Sequence, residues 1–215
     1  RGDREAALRY AEASRSPTGY AEGAIDRACE AILQADGRVE EAYRRYGLTA
    51  HRRSTYLATF RATAAAYPSV PRERVLADLI AASPGEEGKW FAAAKSTGDL
   101  ALALRLAEAS PVAIGTLLRA ARDHVDSEPA FASGAALAAL RWMCEGRFYE
   151  IDAGEVREVV ELAVAGAVRA AAASGGGAGS EAAELARADV IGRVREMVAE
   201  DRSPGGFVRK WAGVG

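Results

Sequence analysis

Two cysteines, two histidines and three lysines are all that this 215-residue chain holds of those types, and aromatic residues make up only 7% of it. Cys29 and Cys144 each fall inside a helical pattern. They provide no disulfide framework, which suits small core residues in a reducing cytoplasm. His51 and His124 have no Cys, His or carboxylate at the spacing of a metal motif, so neither a metal nor a cofactor is expected. Each reads as a solvent-facing ring near a helix end. No apolar run approaches the ~20 residues of a membrane span. Val, Ile and Thr never alternate in the manner of strands. A formal charge of −2 predicts no global attraction to nucleic acid or to an anionic membrane. Lysine is scarce because arginine outnumbers it 25 to 3, a ratio that reads as GC-rich bacterial codon usage before it reads as 25 selected guanidinium groups.

What the chain has in abundance is alanine, fifty in all. Alanine is the best helix former, and its small side chain lets helices approach closely. Apolar spacing of i, i+3, i+4, i+7 recurs throughout. It runs through Tyr56, Phe60, Ala64 and Tyr67, then Leu100, Ala103, Leu104 and Ala107, then Ile114, Leu117, Leu118 and Ala121. Val156, Val159, Val160 and Ala163 begin a long helix, and Val190, Ile191, Val194, Met197 and Val198 belong to the last. The spacing predicts an all-α chain of about ten or eleven helices joined by short loops, as antiparallel neighbours require.

Gly2 to Ser14 matches Gly98 to Ser110 at nine of thirteen positions, with an offset of 96. A weaker copy starts at Gly37, offset by 35, close to the ~34-residue tetratricopeptide period. Internal similarity of this kind marks stacked supersecondary units, each burying its apolar face on the next. The helix that precedes Gly98 has no counterpart before Gly2, so the chain is expected to be the C-terminal part of a longer protein. One helical-repeat domain over residues 1–215 is expected, with a flexible glycine-rich loop at 174–180.

Punctuation follows the same grammar. Ser16-Pro17, Ser83-Pro84 and Ser110-Pro111 each follow an alanine-rich helix. Ser suits an N-cap and Pro the first helical position, so each pair is expected to end one helix and open the next. Gly37, Gly98 and Gly146 fall where tight turns are needed. Residues from Ser203 to Trp211 read as a helix stop followed by a tail that docks Phe207 and Trp211.

Motifs for chemistry are few. Gly85-Glu86-Glu87-Gly88-Lys89 has two residues between its glycines where a phosphate loop needs four, and Trp90 stands where a hydroxyl is required. Its carboxylates would repel phosphate, so a helix-start turn is the reading. Arg1-Gly2-Asp3 spells an adhesion tripeptide, but the repeat accounts for its Gly-Asp. Asp123 beside His124 can orient an imidazole, yet no Ser or Cys lies in a nucleophile motif.

Two clusters offer binding. From Arg38 to Arg61 there are six Arg against two acids, with Tyr43, Tyr46 and Tyr56 interleaved. Arg44, Arg45, Arg52, Arg53 and Arg61 would form the nucleic-acid face of a helix-turn-helix. The competing reading is an ordinary hairpin with a solvated basic face. Lys89, Trp90, Arg119, Arg122, His124, Arg141 and Trp142 form the second cluster, and Trp and Arg are common hot spots of protein interfaces. The competing reading there is tryptophans in the core and arginines on the rim.

Gly88 to Lys95, Ser110-Pro111, Leu117 to Asp123 and Gly205 to Val208 resemble an uncharacterised bacterial family of helical proteins, over about residues 40–210. That resemblance implies no activity and no site. Trp90, Ala94, Ala103 and Ala107 are similar to tetratricopeptide-like folds, although the turn at Thr97-Gly98-Asp99 comes early and the Tyr of the first helix is missing. What it implies is an alpha-alpha superhelix of stacked antiparallel hairpins.

The expected function is a non-catalytic, cytoplasmic scaffold that grips a protein or peptide partner in an open groove, with no buried ionisable cluster. The alternative is nucleic-acid binding by the hairpin at 38–61. An enzyme would need several carboxylates from remote helices converging on a pocket.

Overall fold

Alanine-rich apolar stripes become helix wherever glycine or proline does not interrupt them. In the computed structural model, which describes residues 2–14, 22–147, 151–174 and 179–213, every regular element is helical and no strand occurs among the described residues. Ser16-Pro17 and loop residues 175–178 lie outside the described residues. The chain forms two compact units, Arg1–Pro84 and Gly85–Gly215.

The first unit contains α1 (Gly2–Ala13), α2 (Glu22–Ala35), α3 (Val39–Ala42), a π-helical turn (Tyr43–Gly47), α4 (Leu48–Ala50), α5 (Tyr56–Ala66) and α6 (Arg72–Ala81). α2 ends at Gly37, whose φ of +74° is open to glycine at no steric cost. The Arg38 N–H bonds the Leu33 carbonyl and the Gly37 N–H bonds that of Gln34, the paired bonds of a Schellman stop. α1 buries Leu8 and is strapped along its length to this hairpin. Its Arg4 donates to the Ala35 carbonyl and pairs with Asp36 at the C-terminal end of α2, Glu5 pairs with Arg38, and Glu12 accepts from both Arg45 and Tyr46. The π-helical turn has a packing cause. A Cβ on Gly47 would stand 2.9 Å from the Tyr67 ring, so the wide turn and its glycine admit that ring.

The second unit opens with a 3-10 turn (Glu87–Trp90) running into α7 (Phe91–Thr97). Gly98, at φ +86°, then turns the chain into α8 (Leu100–Ala109), with Asp99 accepting from the Leu102 N–H as N-cap. After α9 (Ile114–His124) comes α10 (Pro129–Cys144), the axis of this core, which buries twelve of its sixteen residues. Phe91 stacks on Phe131 and Leu104 lies over Gly134. α11 (Ala153–Ser174) presses against α10 at Gly166, where a Cβ would meet the Pro129 carbonyl oxygen at 2.6 Å. Ser133 donates to the Ala163 carbonyl one turn away. α12 (Gly179–Ala199) returns along α11, and a 3-10 turn (Pro204–Gly206) leads to α13 (Phe207–Trp211).

Counting the continuous stretch from Val39 to Ala50 as one, there are twelve helices among the described residues, and α13 is the one beyond expectation. It replaces the expected tail. Val208 and Ala212 are its buried residues, while Phe207 and Trp211 stay half-buried. Arg209 reaches back to the Val198 and Ala199 carbonyls, capping α12 with a cation where its orphan carbonyls collect.

Neither Ser83-Pro84 nor Ser110-Pro111 opens a helix. Ser110 is extended, at φ −152° and ψ 162°, as a residue before proline must be, and α9 begins only at Ile114. Its hydroxyl serves a distant partner, accepting from the Gly88 N–H at 2.7 Å. Ser83 donates back to the Leu79 carbonyl, and the next helix starts at Glu87.

Candidate functional site

Polar side chains inside the first unit converge on α2. Asp26 and Glu30 are one turn apart on its buried face, 3% and 5% exposed. Glu30 accepts from the hydroxyl of Tyr67, which follows α5 and has no exposed surface. It also meets His51 Nε2 at 2.7 Å, where α4 ends. With Glu30 ionised, Nε2 carries the hydrogen. Asp26 accepts from the Thr49 hydroxyl.

The ring of His51 stands edge-on to Tyr67, which stands edge-on to Tyr43 with centroids 5.0 Å apart. Tyr43 in turn donates to Asp78 at 2.7 Å, with Arg74 over its ring. Burial first, then a carboxylate acceptor, raises the phenol pKa of Tyr67, Tyr43 and Tyr46 well above the usual tyrosine range. All three therefore stay protonated and donate. Each carboxylate in the cluster is met by a hydroxyl or imidazole of its own unit, an arrangement that braces α2 against α4 and α5.

A buried ionisable cluster is thus present, contrary to expectation, and His51 is not the solvent-facing ring foreseen. Spacing concealed it because Glu30 lies 21 residues from His51 and 37 from Tyr67. His124 is likewise occupied. Nδ1 lies 2.9 Å from the Ala120 carbonyl, and the ring packs edge-on to Phe131.

The arginines at 38–61 divide into two groups. Arg38 and Arg45 both bind Glu41, and together they hold its carboxyl below the usual range. Arg44, Arg52, Arg53 and Arg61 are exposed and enter no ion pair among the described residues.

The seven residues of the other cluster do not share one open face. Trp90 and Trp142 are core residues at 3% and 4% exposure, and Trp142 donates to the Ala107 carbonyl at 2.7 Å. Arg141 lies over the Trp142 ring while pairing with Glu145 and donating to the Glu108 carbonyl. Lys89 pairs with Glu86, and Arg122 grips both oxygens of Glu158, lowering that carboxyl's pKa. Arg119 is exposed.

An open groove lies elsewhere, on the outer side of α11 and α12. Its volume is about 430 Å³, and Val160, Val164, Val168 and Ile191 give it an apolar floor, with Gly213 at one end. Those four are half-buried, whereas the rim residues Glu161 and Arg187 are exposed. The opposite face of α11, carrying Val156, Val159, Ala163 and Gly166, is the one spent on the core. A valine at i, i+4 and i+8 on a second face was the available signal.

A second cavity, of about 400 Å³, is lined by Arg141, Cys144, Glu145, Met197, Glu200 and Arg202. Burial pushes the Cys144 thiol up to about 12, so it is no nucleophile at neutral pH. No group of three or more metal-binding side chains occurs among the described residues, and no helix there is long and apolar enough to cross a membrane. No family model matches the chain, and neither a curated protein nor a solved structure was found to be similar to it.

Proposed function

We propose that this chain is a non-catalytic, cytoplasmic interaction scaffold of tetratricopeptide-like stacked hairpins, which binds a protein partner. The observation that carries this reading is the α11–α12 groove, an apolar floor with charged lips that no side chain of the described residues fills. Interfaces take this form, an apolar centre inside a polar rim. The hairpin character is supported by two glycines with nearly the same left-handed φ, Gly37 between α2 and α3 and Gly98 between α7 and α8. The groove, rather than the cluster from Lys89 to Trp142, is the surface offered. Affinity purification from host lysate, with and without nuclease, tests the reading when Val164→Glu is run beside the parent. A stoichiometric protein retained by the parent and lost by the variant is expected, and equal retention by both would overturn the groove.

A second reading rests on Arg44, Arg52, Arg53 and Arg61, whose charges are left for a phosphate backbone. Against it, residues 1–84 hold thirteen Arg and eleven acids, close to balance. Fluorescence anisotropy with short DNA and RNA at low salt separates the two. Binding that falls steeply with added salt would favour this face.

A further inference from the structure

Resting on the interaction reading above, we propose that the occupant of the α11–α12 groove is a second copy of this chain, docked about a two-fold axis. The argument is the charge on the rim. Glu161 on α11 and Arg187 on α12 are both exposed, and neither enters an ion pair among the described residues. One acid and one base therefore border the same apolar floor without an ion-pair partner among the described residues. A two-fold axis lying in that face, through the midpoint between them and perpendicular to the line joining them, exchanges their positions. Each copy's Glu161 then faces the other's Arg187, twice over in one contact. This is the self-complementarity that an isologous interface demands.

The floor fits the same arrangement. Val160, Val164 and Val168 stand at i, i+4 and i+8, with Ile191 beside them on the return helix. Two such faces bury their half-exposed branched side chains on one another, as the helix pairs of a four-helix bundle do. Apolar burial supplies the affinity, and the two charge pairs set register and orientation.

Alanine, which crowds both helices, keeps the surrounding surface shallow. Ala165 lines the groove itself, so a partner helix can approach closely.

The test is sedimentation of the full chain over a range of concentrations, comparing the parent with Glu161→Arg, Arg187→Glu and an equimolar mixture of the two. The parent is expected to dimerise, and each single reversal, which sets like charges together at two places, to weaken the dimer by about tenfold or more. The mixture is expected to recover it as a heterodimer, because one chain then offers two bases and the other two acids. Val164→Glu is expected to abolish the dimer with its helical circular dichroism intact.

A parent that stays monomeric, reversals without effect, or a mixture that fails to recover would each overturn the second-copy occupant. The broader reading fails separately. A monomeric parent whose lysate partner is lost in Val164→Glu leaves the groove as a docking site for another protein, whereas equal retention by parent and variant removes it.

Discussion

Tyr67 donates its phenolic hydrogen to Glu30, 37 residues earlier in the chain, at a point where the ring has no exposed surface and the acid almost none. A carboxylate taken out of water is costly unless its lone pairs are met, and here a phenol and an imidazole meet them. Tyr67→Phe removes one donor and leaves the acid, so the first unit should lose about 1–3 kcal/mol. Glu30→Ala, which strands both donors, should cost at least as much. Urea unfolding followed by tyrosine fluorescence measures both, and a double variant less costly than the sum of the singles would establish that they act as one network.

Alkaline pH should weaken the same unit. Burial followed by a carboxylate acceptor raises the folded-state pKa of Tyr67, Tyr43 and Tyr46 above the unfolded value near 10. A group whose pKa is raised on folding contributes its full stability below the unfolded value and loses it as pH climbs toward the folded one. Urea midpoints should hold steady below about pH 10 and fall above it, with tyrosinate absorbance appearing together with unfolding. Titration of these phenols in the native state near pH 10 would contradict the cluster.

The helices were legible because alanine and a 3.6-residue apolar period act locally: α9 buries the whole stripe Ile114, Leu117, Leu118 and Ala121, whereas α8 buries Ala103 and Ala107 of its stripe together with Leu106, leaving Leu100 and Leu104 half-buried. Long-range partnerships were not legible. Ser110-Pro111 has the local grammar of a helix start, but Pro111 holds Ser110 extended and Gly88 takes its hydroxyl, 22 residues away. The π-helical turn before Leu48 answers to the Tyr67 ring, which no nearby residue announces. The groove was half-visible. Val160 was read together with the core stripe, although it begins a second one with Val164 and Val168.

Gly88 and Ser110 give the second unit a sharp test. A Cβ on Gly88 would stand 2.1 Å from the Ser110 carbonyl oxygen, and backbone cannot yield as a side chain can. Gly88→Ala should therefore cost about 3 kcal/mol or more, at the upper end of overpacking. Ser110→Ala strands one buried N–H and should cost about 1–3 kcal/mol. Thermal unfolding compares the two, and a Gly88→Ala protein as stable as the parent would refute the close approach.

Trp142 is read as a structural residue rather than a docking one. Trp142→Phe keeps an aromatic side chain but removes the pyrrole half of the indole, and with it the hydrogen bond to the Ala107 carbonyl, so stability should fall by about 1–3 kcal/mol from the lost bond and the lost packing together. Partner retention in the lysate experiment should not change. Loss of the partner with stability intact would return the surface around Arg141 and Trp142 to candidacy.

The two thiols should report the two units independently. Cys29 has no exposed surface, and Cys144 is 4% exposed with its pKa pushed up to about 12 by burial first and by Asp201 and Glu145 after it. Cys29 is shut off from the reagent and Cys144 is held as the unreactive thiol, so neither should react with a chromogenic disulfide at neutral pH while its unit is folded. In rising urea each should become reactive as its own unit opens, and Cys29→Ala and Cys144→Ala assign the phases. Tyr67→Phe should then advance exposure of Cys29 alone, and Gly88→Ala that of Cys144. If both variants advanced both thiols equally, Arg1–Pro84 and Gly85–Gly215 would be unfolding as one cooperative body.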